Sequence, residues 1–187
     1  MKDTIIIVEG PQGAGKTTFT NYLREKMGSA DLYRLAGIKD KSESGFEKSK
    51  QRYYNLLNYM ENNKNINMIF DRTFFSEEIY SRLGYKPYSF SEIYDELLTR
   101  LDNIDCEICL VVLYLEDISE YEKRIKREKH QYQAFDIESS IKQQEEYLRL
   151  ADEVASSCKN IKVVKFNNNK SDNFDKNMEE QFGYLFK

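Results

Sequence analysis

Gly10-Pro11-Gln12-Gly13-Ala14-Gly15-Lys16-Thr17 has every residue of a phosphate-binding loop, and the chemistry it could do is capture of a nucleoside triphosphate. Glycines at 10, 13 and 15 let the backbone wrap closely enough for its N–H groups to surround phosphate oxygens. The helix that follows turns its positive end toward the same anion. Lys16 is placed to reach the β and γ phosphates, and Thr17 to offer its hydroxyl to the Mg²⁺ that accompanies ATP. Gly10 through Thr18, with Pro11, Gln12 and Ala14 among them, are therefore the expected ATP site. A second constellation is Asp71-Arg72, where the apolar run Asn67-Met68-Ile69-Phe70 ends in a carboxylate. That is the form of a Walker B element, which makes Asp71 the partner of Thr17 in holding Mg²⁺. Arg72 sets a cation beside it, where a second phosphate-bearing substrate or the transferring group could be held. The plainer alternative is an Asp-Arg turn that only caps a helix starting near Phe74.

A third cluster lies between Glu120 and Lys129, which holds Lys123, Arg124, Lys126, Arg127 and Lys129. Runs of charge on helices are commonly solvated faces. Arg124 and Arg127 are spaced i, i+3, on one helical face, and could neutralise charge developing on a transferred phosphoryl group. Together with Lys16, Asp71 and Arg72 they complete the catalytic candidates.

These residues need a scaffold, and the apolar patterning supplies one. Five short apolar runs, 4–8, 32–35, 67–70, 108–115 and 161–166, alternate with helical patterning. Alternation of that kind predicts an α/β fold, a three-layer α/β/α P-loop NTPase sandwich with a five-stranded parallel sheet. The basic segment follows the fourth apolar run, and by analogy with P-loop kinases that position makes it a helical lid at about 118–136. Ligands in such sheets sit beyond the carboxyl ends of the strands, and the chemically interesting residues follow strand ends or lie on nearby helices. A helix is expected from Thr18 to near Gly28, another over 46–62 with an apolar face, and a last one from Ser171 to about Phe186.

Asp71-Arg72-Thr73-Phe74-Phe75-Ser76 followed by Tyr80 resembles the Asp-Arg-Tyr-x-x-Ser-x-x-x-Tyr element of thymidylate kinases. Glu9-Gly10-x-x-Gly13-Ala14-Gly15-Lys16-Thr17-Thr18 is similar to their P-loop with its preceding glutamate. Phe135-Asp136, Tyr147, Leu150 and Ala151 resemble the segment after their lid. The resemblance runs over most of the chain and implies that Glu9, Arg34, Arg52, Arg72 and Tyr80 meet the acceptor. It also implies a lid whose arginines close over the triphosphate and exclude water. The chain departs from the pattern at Gln12, where many members have an acidic residue, and at Arg34-Leu35-Ala36-Gly37, which replaces Arg-Glu-Pro-Gly-Gly. Deoxynucleoside kinases are also similar, but have a glutamate after the second strand, where this chain has Arg34 and no carboxylate until Asp40.

The leading expectation is ATP-dependent phosphorylation of a nucleoside monophosphate, dTMP or a related deoxynucleotide, to the diphosphate. A deoxynucleoside kinase is the alternative, and a nucleotide-dependent switch or polynucleotide-end kinase the third. The 187 residues fit one domain, 1–187. A net charge of -4 argues against a nucleic-acid partner and for a small nucleotide or nucleoside acceptor. No apolar run approaches a membrane span and no signal segment is evident, so a cytoplasmic protein is expected. A homodimer joined through a helix face rests on the resemblance alone. Cys106-x-x-Cys109 lacks a second pair, and Cys109 opens an apolar run, so both read as packing residues in a reducing compartment. His130 stands alone in a charged segment.

Overall fold

The computed structural model describes residues 3–127 and 136–186. Five strands, β1 (Thr4–Glu9), β2 (Ala30–Arg34), β3 (Asn67–Asp71), β4 (Glu107–Tyr114) and β5 (Ile161–Asn167), form one parallel sheet in the order β2-β3-β1-β4-β5. After β1 the chain crosses to the β2 and β3 side, then returns past β1 to lay down β4 and β5. The carboxyl ends flanking β1 are therefore the place where the strand order reverses, which is where parallel sheets of this kind bind their ligands.

Both faces of the sheet are covered, which is why β1, β3 and β4 read as continuous apolar runs. Ile5, Ile7, Met68, Phe70, Ile108, Leu110 and Val112 face a core completed by α2 (Glu43–Asn62), α3 (Phe74–Arg82), α4 (Ser91–Asp102) and α6 (Ile137–Ser157). Ile6, Val8, Ile69, Cys109, Val111, Leu113 and Phe166 face the opposite core with α1 (Lys16–Lys26) and α7 (Phe174–Phe182). The two-residue alternation follows from side chains leaving a strand on opposite faces. The remaining helix, α5 (Ser119–Arg127), leads from β4 toward 128–135, the part of the expected lid that lies outside the described residues together with His130 and Phe135.

Several boundaries differ from expectation. The first helix begins at Lys16, because Gly15 takes a left-handed conformation (φ 89°) and can serve as its cap. The second strand is Ala30–Arg34, not 32–35: it is a half-exposed edge strand, so pairing with β3, and not an apolar run, sets its limits. The last helix ends at Phe182, where Gly183 starts a short 3-10 turn. Cys109 is buried in β4, where burial pushes its thiol up to about 12, and Cys106, just before the strand, is buried as well. Among the described residues no group of three or more His, Cys, Asp or Glu could hold a metal ion, and no helix is long and apolar enough to cross a membrane.

Candidate active site

The phosphate loop leaves the end of β1 with three glycines at positive φ, Gly10 (143°), Gly13 (81°) and Gly15 (89°). A Cβ at Gly10 would come within 2.6 Å of the Leu113 carbonyl oxygen on β4, so this position requires glycine sterically as well as conformationally. Lys16 Nζ turns back over the loop and donates to the carbonyls of Gly10 and Pro11, each at 2.7 Å. The ammonium is thereby held above the loop, at the N-terminal end of α1. Thr17 and Thr18 are exposed on the first turn of that helix, while Ala14 is fully buried.

At the end of β3, Asp71 accepts a hydrogen bond from Thr17 Oγ1 on Oδ2 at 3.2 Å. Arg34 lies directly opposite Asp71 in the β2–β3 ladder and brings its Nε to 3.7 Å from the same oxygen. The Arg34 guanidinium also bonds Asn21 on α1. Two hard oxygen donors, Thr17 Oγ1 and Asp71 Oδ2, thus meet at the mouth of the phosphate loop, and this is a donor set that fits Mg²⁺.

Arg72, the next residue, has φ 72°, a left-handed conformation that costs a non-glycine residue roughly 1–2 kcal/mol. Its N–H bonds the Val8 carbonyl at 3.1 Å, and its guanidinium donates to the Tyr80 hydroxyl at 2.9 Å. Glu9 ties this corner together. Its Oε1 accepts from Thr73 N at 2.6 Å and Thr73 Oγ1 at 3.1 Å, and its Oε2 from Ser76 Oγ at 2.6 Å. The Tyr147 hydroxyl of α6 bridges to Ser76 at 2.8 Å. Burial raises the Glu9 carboxyl above its ordinary 4.5 and outweighs the opposing Ser76 and Thr73 hydrogen bonds and the charges of Arg72 and Lys16.

Arg52, on α2, stands apart from these clusters and donates to the Ala36 carbonyl in the loop after β2, at 2.5 Å. Beside it the structure shows a group that sequence reasoning missed. Glu77 Oε1 accepts from Tyr88 at 2.6 Å and Ser49 at 3.2 Å and pairs with Lys86 Nζ at 3.0 Å. Lys86 also bonds the Ile38 carbonyl at 2.8 Å. The available signal was Glu77-Glu78 inside a helix otherwise apolar on several faces: both carboxylates of so short an element cannot reach water.

Arg124 of α5 donates to the Gly13 carbonyl at 3.1 Å and to the Asn168 carbonyl at 2.5 Å. The structure thus places its guanidinium against the loop's backbone. Arg127 ends the same helix, and its side chain lies outside the described residues. Gln12 offers its backbone N–H to Gln143 Oε1 of α6 at 3.1 Å. Of the expected residues, Lys16, Thr17, Asp71 and Arg34 come together around the loop, and Glu9, Arg72 and Tyr80 form the adjoining wall.

No family profile and no curated protein matches this sequence. Solved structures do. YorR protein from Bacillus subtilis, in complex with phosphorylated GDP, superposes with a TM-score of 0.67 at 19% identity over 97% of this chain and 94% of that one. Thymidylate kinase from Candida albicans gives 0.65 at 16% identity, over 100% and 94%. Deoxyadenosine kinase from M. mycoides, with dCMP and a flexible dCDP bound, gives 0.63 at 15% identity, over 97% and 98%. The likeness spans the whole chain, whose fold is that of the thymidylate and deoxynucleoside kinases.

Proposed function

We propose that the chain transfers the γ-phosphoryl group of ATP to a nucleoside monophosphate, dTMP or a related deoxynucleotide, releasing the diphosphate. The observation that carries this reading is that the carboxylates around the strand ends already have donors. Glu9 takes Thr73 and Ser76, Glu77 takes Lys86, Tyr88 and Ser49, and Asp71 takes Thr17 with Arg34 near by. Asp40, farther out, binds Lys48 and Ser42, and these hold its carboxyl well below the usual range. A neutral hydroxyl acceptor needs a base to take its proton. A phosphate oxygen is already anionic and needs cations, which Arg34 and Arg72 provide.

The chain's own residues then divide the work. The loop's N–H groups and Lys16 hold the triphosphate, Arg72 with Tyr80 orients the acceptor phosphate for in-line attack, and Arg127 is the candidate to cover the transferring group. Thr17 and Asp71 would hold Mg²⁺, which when bound neutralises charge on the phosphate oxygens. The relatives in fold act on or bind purine and pyrimidine nucleotides alike, so the base is a matter for experiment.

The test is incubation with ATP, Mg²⁺ and a panel of nucleosides and nucleoside monophosphates, with Lys16→Ala as control and products resolved by chromatography. A diphosphate from one monophosphate is the expected result and names the base. Monophosphates formed from nucleosides would overturn it in favour of a deoxynucleoside kinase, and nucleotide binding without any product in favour of a switch.

A further inference from the structure

Three consecutive residues of the phosphate loop are gripped from outside by side chains of three different elements. Gln143 of α6, 3% exposed, accepts the Gln12 N–H; Arg124 of α5 donates to the Gly13 carbonyl; and Asn168, in the turn after β5, donates to the Ala14 carbonyl at 2.6 Å. The three grips are joined to each other. Arg124 also bonds the Asn168 carbonyl, and the Asn168 N–H is fixed to the Tyr114 carbonyl at the end of β4, 2.8 Å away. Gln144, beside Gln143, brackets Leu115 through both its N–H (2.8 Å) and its carbonyl (3.0 Å) and takes the Tyr121 hydroxyl of α5 at 2.6 Å.

A trans peptide points its C=O and N–H in opposite directions, so holding one end aims the other. Gln143 holds the Gln12 N–H, and the Pro11 carbonyl on the same peptide is one of the two that Lys16 Nζ meets. Arg124 holds the Gly13 carbonyl, and the Ala14 N–H on the same peptide turns in to the Pro11 carbonyl at 3.3 Å. Asn168 holds the Ala14 carbonyl, so the Gly15 N–H on the same peptide points away from Asn168.

We propose that Gln143, Arg124 and Asn168 are positioning residues that set the peptide planes of the phosphate loop before any nucleotide arrives, so that donor phosphates meet a preformed anion site. This rests on the nucleotide-binding part of the functional reading and not on the identity of the acceptor.

The experiment compares binding of ATP and of inorganic tripolyphosphate, which has no base or sugar, to the intact chain and to Asn168→Ala and Gln143→Leu. A lost hydrogen bond of about 1 kcal/mol, if it lets the free loop leave the competent geometry by that much, weakens binding about fivefold. The expected result is an equal loss of that size for both ligands in each variant, with faster amide exchange over residues 10–15 in the nucleotide-free protein. Loss confined to ATP would place these side chains at the nucleoside and overturn the proposal, as would unchanged affinity for both. The two variants alter different elements, and thermal melts identify one that fails to fold, so the other still decides. A wild-type chain that binds neither ligand would sink the nucleotide reading itself, before any variant is compared.

Discussion

Thr17 Oγ1 and Asp71 Oδ2 stand 3.2 Å apart, although 54 residues separate them in the chain. The hydroxyl is delivered by the first turn of α1 and the carboxylate by the end of β3, so the pair forms only when the sheet is in register. If it holds Mg²⁺, Asp71→Asn should keep the hydrogen bond from Thr17 while losing the charge. We expect phosphoryl transfer to fall about 100-fold and the half-saturating Mg²⁺ concentration to rise, with the fold intact. Initial rates across a Mg²⁺ titration check this, and an unchanged metal dependence would remove Asp71 from the metal site.

Arg72, proposed to orient the acceptor phosphate, has an uncomfortable backbone. Its φ of 72° suits glycine, and a non-glycine residue there costs roughly 1–2 kcal/mol. Arg72→Gly and Arg72→Ala should both abolish transfer, since each removes the donor to Tyr80. They should differ in stability: the glycine variant is expected to exceed the alanine variant by about 1 kcal/mol, read from denaturant melts. Equal stabilities would mean that the left-handed conformation at 72 is not a constraint on the folded state.

Much of this site could be read before the fold was known, and the reason is chemical. Cradling a phosphate demands glycines, a lysine and a hydroxyl at fixed spacing, so residues 10–17 announce themselves locally. β1, β3 and β4 were legible because burial on both faces leaves their middles apolar and confines Thr4, Glu9, Asn67, Asp71 and Glu107 to the ends. β2 was misjudged by two residues at its start because its edge is half exposed. Gln143 and Asn168 carried no signal at all: each meets the phosphate loop across more than a hundred residues, and an isolated glutamine or asparagine has the same local pattern wherever it ends up. Glu9 was legible as a residue but not in its partners, since Thr73, Ser76 and Tyr147 come from two other elements.

Glu9 should leave a mark on the pH dependence of stability. Burial raises its carboxyl above the ordinary 4.5, against the hydrogen bonds of Ser76 and Thr73 and the charges of Arg72 and Lys16. A carboxyl whose folded value is raised contributes its full stability below the unfolded value and loses it as pH rises through the folded value. Glu9→Gln cannot titrate. Its melting temperature relative to wild type should therefore improve steadily as pH rises from 4.5, and melts at several pH values decide the matter. A relative melting temperature that falls over that range would mean that hydrogen bonding, not burial, controls this carboxylate.

Lys86 and Glu77 form an ion pair whose side chains are 6% and 2% exposed. Removing one member of such a pair leaves a buried charge without its partner, at a cost of about 3–5 kcal/mol. Lys86→Met is therefore expected to destabilise the chain by about 3 kcal/mol and to release the Ile38 carbonyl in the loop after β2. Adding Glu77→Gln removes the stranded charge while keeping an oxygen for the Tyr88 and Ser49 hydroxyls, so the double variant should be more stable than Lys86→Met alone. If the pair also shapes the acceptor side, the double variant should regain stability without regaining the acceptor KM, because the Lys86 anchor on Ile38 remains lost. Recovery of both together would make the pair purely structural, and a double variant no more stable than the single would show that Lys86 contributes packing and not charge.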